Sequence, residues 1–185
     1  NILAGVGGQA TDAAYTVANS CRFNDNDAAK LSLTFTGSPT SDRIGTFSFW
    51  MKRGHISDDM TLVSQTHPGS GSRDTIFMAW GTGDTLDVQM ESASTRIIRR
   101  ITNQVFRDPG AWYHFIVAID GTQANINCMR IYVNGEEITS FSTTTNLSAS
   151  TDLELGSGTN PWTIGTLARY STGYFYDGYL SQFAY

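Results

Sequence analysis

The run "LDVQME" puts Asp87, Gln89 and Glu91 on one face of an expected strand, because strand side chains alternate with period two. Two carboxyls on one face are what glycosidic cleavage uses, one as nucleophile and the other as proton donor. Its retaining form needs the carboxyls about 5–5.5 Å apart, whereas strand positions four apart lie ~13 Å apart at the backbone. Asp87 is a methylene too short to help close that gap, and Gln89 brings no charge to tune its neighbours. Asp152 and Glu154 in "TDLELG" share a face without a third member. Both sets are expected to be polar outer-face residues alternating with core Leu, Val and Met, so no catalytic residue is assigned.

His114 in "AWYHFIVAIDGT" is the next candidate. Tyr113, Phe115, Val117 and Ile119 share one face; Trp112, His114, Ile116 and Ala118 share the other. Both faces are largely apolar, as in a strand buried on both sides. Asp120, the nearest orienting acid, is about 20 Å along the strand. A packed, hydrogen-bonded histidine is expected. Ser70 and Ser72 in "HPGSGSR" lack the spacing of a nucleophile elbow, and His67 beside them makes no triad. The sequence has no CxxC, HExxH or phosphate loop, so no metal ligand is assigned and no cofactor is expected. Calcium stays open through Asp25, Asp27, Asp58 and Asp59, none of them in a dedicated loop.

The elements that must position these residues follow from composition. The chain has 185 residues, enough for one domain with a sizeable core. Ser and Thr together number 41, and strong helix-forming runs are missing. The net charge of −5 argues against nucleic acid as partner, and "RIIRR" at 96–100 reads as a solvated edge with Arg99 facing away from Arg96 and Arg100. No apolar stretch approaches the ~20 residues of a membrane helix. Cys21 and Cys128 are expected as reduced thiols, although a disulfide stays open.

Residues 1–14, small and Gly-rich, are expected to form an extended arm; from Tyr15 onward short alternating runs are separated by turn residues. "KLSLTF" places Leu31, Leu33 and Phe35 on one face. "GTFSFWMKR" turns Phe47, Phe49 and Met51 inward and Ser48, Trp50 and Lys52 outward. "WYHFIVAID" pairs with "MRIYVNG", and Asn134-Gly135 is the strongest hairpin signal because both residues tolerate positive φ. About a dozen such strands predict an all-β, two-sheet antiparallel jelly-roll sandwich over residues 15–185.

"FSFWMKR", "AWYHFIVAIDGTQ", "MRIYVNGEEITSF", "TIG" and "YFYDGYLSQF" occur in the order and spacing of laminin-G-like, concanavalin A-like jelly rolls, which the chain resembles over residues 15–185. "RFNDNDAAKLS", "VFRDPGAWYH" and "YFYDGYL" look closer still to a subgroup in structural proteins of marine bacteriophages, with Tyr176 an extra residue in the last motif. The resemblance implies a non-enzymatic virion structural protein, on a tail fibre, neck appendage or the capsid exterior. Implied partners are other virion proteins through the arm, further copies of the chain in a homo-oligomer, and a host-surface glycan. The alternative is a secreted or cell-surface carbohydrate-binding module or glycoside hydrolase.

Sheet faces and rim loops of the fold resembled commonly bind glycans. Sugar binding needs an aromatic platform with polar groups beside it, and the candidates are Trp162, Arg169, Tyr170, Tyr174 and Tyr176. The competing reading has Trp162 capping the core beside a turn and the tyrosines lining an outer sheet face, with Asp177-Gly178 a turn or bulge.

Overall fold

The computed structural model describes residues 19–34, 38–67, 73–80, 83–92, 95–156, 161–167 and 174–185. The strands among them are β1 (Cys21–Phe23), β2 (Leu31–Leu33), β3 (Ile44–Arg53), β4 (Met60–His67), β5 (Arg73–Trp80), β6 (Thr85–Ser92) and β7 (Thr95–Val105). They continue with β8 (Tyr113–Asp120), β9 (Met129–Val133), β10 (Glu136–Glu137), β11 (Phe141–Thr145), β12 (Trp162–Ile164) and β13 (Gly178–Ala184). The expected N-terminal arm lies outside the described residues.

The strands form two antiparallel sheets. The smaller has the order β1-β13-β3-β8-β9-β10 and the larger β11-β7-β6-β5-β4-β12-β2. This is the jelly-roll sandwich expected. Alternation sets the core: Phe47, Phe49 and Met51 of β3 and Phe115, Val117 and Ile119 of β8 are buried against Leu86, Val88 and Met90 of β6 and Ile98 of β7. Each such side chain contributes about 1.5–3 kcal/mol when taken out of water. Phe47 and Trp162 meet edge to face between the sheets, centroids 5.1 Å apart.

A buried ion pair also bridges the sheets. Arg53, at the end of β3, donates from Nη1 to Asp84 Oδ1 (2.8 Å) and to the Phe106 carbonyl (2.9 Å). Asp84, in the turn before β6, also accepts from the Ser57 amide and from Arg107 Nε. Burial raises the Asp84 pKa, but the Ser57 amide, Arg53 and Arg107 together outweigh it and hold the carboxyl below its ordinary range.

Two expectations are corrected. The outer face of β8 is half-exposed, so this strand is not buried on both sides. Its sheet packs through one face, as antiparallel sheets commonly do. "RIIRR" is not a solvated edge: β7 lies inside the larger sheet, and Arg100 is fully buried. The Arg100 guanidinium finds its acceptors in Asn146 Oδ1 and the carbonyls of Arg99, Thr145 and Ile126. Leu31 and Leu33 lie on the edge strand β2 and are 48% and 54% exposed.

The Asn134-Gly135 hairpin forms as expected, with φ of 53° and 87° and Val133 paired to Glu136. Both cysteines are free thiols, Cys21 exposed and Cys128 buried.

Candidate functional site

The acid ladder on β6 is closed by arginines. Asp87 accepts two bonds from Arg99 of β7, Nε to Oδ1 at 3.1 Å and Nη2 to Oδ2 at 2.6 Å. The same contact raises the Arg99 pKa, its hydrogen bonds to Asp87 outweighing burial. Glu91 pairs with Arg96 at 3.3 Å. Gln89 sits between them with its register partner Arg99. Each carboxylate therefore faces a fixed cation and not its fellow acid, the reverse of a cleavage pair. Asp152 accepts from the Glu154 amide as a turn-former.

His114 is part of the wall. Its ring stacks on Trp50, centroids 5.0 Å apart, and its Nε2 hydrogen-bonds Ser48 Oγ at 3.0 Å. Its backbone exchanges bonds with Asn134, whose Oδ1 accepts from the His114 amide.

Two of the candidate rings between residues 162 and 176, those of Trp162 and Tyr176, are buried. Trp162 is buried because β12 lies between β4 and β2, its ring packed on Phe47, so the core-capping reading holds for it. Tyr176 is fully buried, its hydroxyl donating to the Lys52 carbonyl at 2.8 Å. Neither ring presents a face to a ligand. Tyr174 is 41% exposed, and its carbonyl accepts from the Thr61 amide. Arg169 and Tyr170 lie outside the described residues.

Rings that do face solvent stand on the outer face of the smaller sheet. Arg22 of β1 is paired with Tyr179 of β13, and Tyr179 with Lys52 of β3; Trp112 stands one residue before β8. Side by side they alternate cation and ring. The Arg22 guanidinium lies 5.1 Å from the Tyr179 centroid, and Lys52 Nζ lies 4.9 Å from Tyr179 and 5.9 Å from Trp112. Trp50 and His114 form the next row, and Ile116 and Tyr132, paired across β8 and β9, the third. Trp50, Lys52, Trp112, His114, Tyr132 and Tyr179 are all half-buried, their flanks held by neighbours and the rest open.

The outward alternation of Trp50 with Lys52 and of Trp112 with His114 was the available signal for this face. Its other members, Arg22, Tyr132 and Tyr179, come from distant parts of the chain and meet only through strand order. Among the described residues no group of three or more His, Cys, Asp or Glu gathers to hold a metal. Asp25 and Asp27 instead bond within their own turn, and Asp58 lies 3.7 Å from His55.

The two antiparallel sheets make a jelly-roll sandwich with an open aromatic face on the smaller sheet. Residues 24–185 match the laminin G family model described as the concanavalin A-like lectin/glucanases superfamily, and the chain belongs to that family. The fold is similar to domains LG4-5 of the mouse laminin alpha1 chain, with 13% identity and a TM-score of 0.62, covering 90% of this chain and 41% of that one. It is also similar to the LG1-3 region of the laminin alpha2 chain, with 15% identity and a TM-score of 0.61, covering 89% and 30%. A third similar structure is the Ruminococcus gnavus IT-sialidase CBM40 bound to alpha2,3 sialyllactose, with 14% identity and a TM-score of 0.53, covering 77% and 76%. The chain thus spans less than half of either laminin structure. No match to a curated protein was found.

Proposed function

We propose that the chain is a non-enzymatic glycan-recognition module that serves as an exterior structural subunit of a bacteriophage particle. The observation that carries glycan recognition is the open face of Trp50, Trp112, Tyr132 and Tyr179 with Lys52 and Arg22 among them. A sugar ring offers apolar C–H patches bordered by hydroxyls. Tyr and Trp match it with a flat apolar face and a polar edge, and cations on the same surface supply donors to the hydroxyls. The arginines that hold Asp87 and Glu91 support the non-enzymatic half of the reading.

Assignment to a virion rests on the three motifs "RFNDNDAAKLS", "VFRDPGAWYH" and "YFYDGYL". In that setting the N-terminal arm docks on neighbouring virion proteins, and the sandwich displays its open sheet to host-surface glycans.

Glycan-array binding of the whole chain beside Trp50→Ala and Trp112→Ala tests the reading. Glycan signal from the unmutated chain that falls at least tenfold in both variants is expected. Absence of any glycan signal from the folded, unmutated chain overturns it. For the virion assignment, peptides of the chain are expected in gradient-purified particles, and their absence from particles of a phage encoding it overturns that half alone.

A further inference from the structure

We propose that the outer face of the smaller sheet selects an anionic sugar, a pyranoside bearing a carboxylate or a sulfate, with Lys52 as the cation that reads the charge. The inference rests on the glycan-recognition reading and names its ligand class.

Lys52 and Arg22 occupy different positions in the same row. The Arg22 guanidinium is engaged: Nη1 donates to Asp177 Oδ1 and to the carbonyls of Phe23 and Gly178. Asp25 adds its field to that end of the row. The nearest acid on this face is therefore already matched with a cation. Lys52 Nζ sits between Tyr179 and Trp112, and no carboxylate lies within ion-pair distance of it among the described residues. Its contacts with the rings are electrostatic, and cation–π contacts at exposed sites are worth only ~0.5–1 kcal/mol each. They hold the ammonium in place without using its N–H donors on an acceptor. An anion arriving beside a sugar stacked on Trp112 or Tyr179 supplies that acceptor.

The position of Lys52 is fixed by the fold. Its carbonyl accepts from the buried Tyr176 hydroxyl, and its neighbours in sequence, Met51 and Arg53, are both fully buried. The ammonium is thus presented from a rigid strand, which limits what binding loses to ordering. Lys is also a compact point charge, suited to a carboxylate and a sulfate alike, where Arg favours planar two-point pairing.

The test is calorimetric titration of the whole chain with three oligosaccharides of equal length. One alternates glucuronic acid with N-acetylglucosamine; the second is its carboxyl-reduced, neutral form; the third is that neutral form carrying sulfates. The charged oligosaccharides are expected to bind at least tenfold more tightly than the neutral one, as a charge-assisted hydrogen bond would give. Which charged form binds tighter separates a carboxylate from a sulfate site. Lys52→Gln should abolish the difference between charged and neutral probes, and Lys52→Arg should keep most of it. Unchanged melting temperatures for both variants establish that the fold is intact. Equal affinities of charged and neutral probes for the unmutated chain, or a preference that survives Lys52→Gln, overturn the inference and leave glycan recognition standing. Failure of all three to bind also overturns the inference, while glycan recognition itself stands or falls on the array.

Discussion

Arg99 grips Asp87 through two parallel bonds, of 3.1 and 2.6 Å, across the β6–β7 pairing. The side chains are 23% and 15% exposed, so the pair lies on a half-buried outer face and not in a dry catalytic cleft.

Asp87→Asn and Glu91→Gln are therefore expected to leave glycan binding within twofold. Pairs of this exposure contribute about 0–1 kcal/mol, so unfolding in urea should move little. The unmutated chain is expected to release no reducing sugar from polysaccharides. Release that disappears in Asp87→Asn would return the ladder to catalysis.

The Asp84–Arg53 pair makes the strongest pH prediction. The carboxyl titrates lower in the folded chain than its ordinary value of 3.8. Its stabilisation is thus fully present above that value and is lost as pH falls through the lower, folded value. Stability against urea should be flat with respect to this group from pH 7 to pH 5 and fall below about pH 4. Asp84→Asn, which leaves Arg53 buried without its partner charge, should cost about 3–5 kcal/mol at pH 7 and flatten the acid limb. An acid limb of unchanged slope in Asp84→Asn would mean that other carboxylates govern it.

Gly178 opens β13 with φ of 153°, and a Cβ built there would stand 2.3 Å from the Lys52 carbonyl and 2.5 Å from the Tyr176 hydroxyl. Both neighbours are held by the bond they make with each other. Gly178→Ala should cost about 3 kcal/mol or more, from backbone strain and overpacking together. Thermal unfolding measures it. A melting temperature within a degree or two of the unmutated chain would show that β13 can start without this close approach.

Asn134 combines a positive φ of 53° with a hydrogen bond from the His114 amide. Asn134→Ala loses both, for about 1–2 kcal/mol. Asn134→Gly restores only the backbone freedom and should fall between. If the Gly variant is no more stable than the Ala variant, the side-chain bond and not φ is what Asn134 supplies.

Periodicity made much of the fold legible. The inward set Phe47, Phe49 and Met51 and the Asn134-Gly135 turn could be read because each depends on residues within a few positions of one another. The site depended on distant pairings. Trp162 follows Asn-Pro and looks like a rim residue until β4 and β2 close around β12. Arg22, Lys52, Trp112 and Tyr179 form one row only because β13 enters between β1 and β3. Arg100 looked like one charge of a solvated run because its acceptors, at Ile126, Thr145 and Asn146, come from later in the chain.

The most direct measurement is a 15N–1H indole spectrum of the whole chain during titration with the strongest array ligand. Binding at the smaller sheet predicts progressive shifts of the Trp50 and Trp112 indole signals while that of buried Trp162 stays fixed. Saturable binding that leaves the Trp50 and Trp112 signals unmoved would contradict the placement of the site.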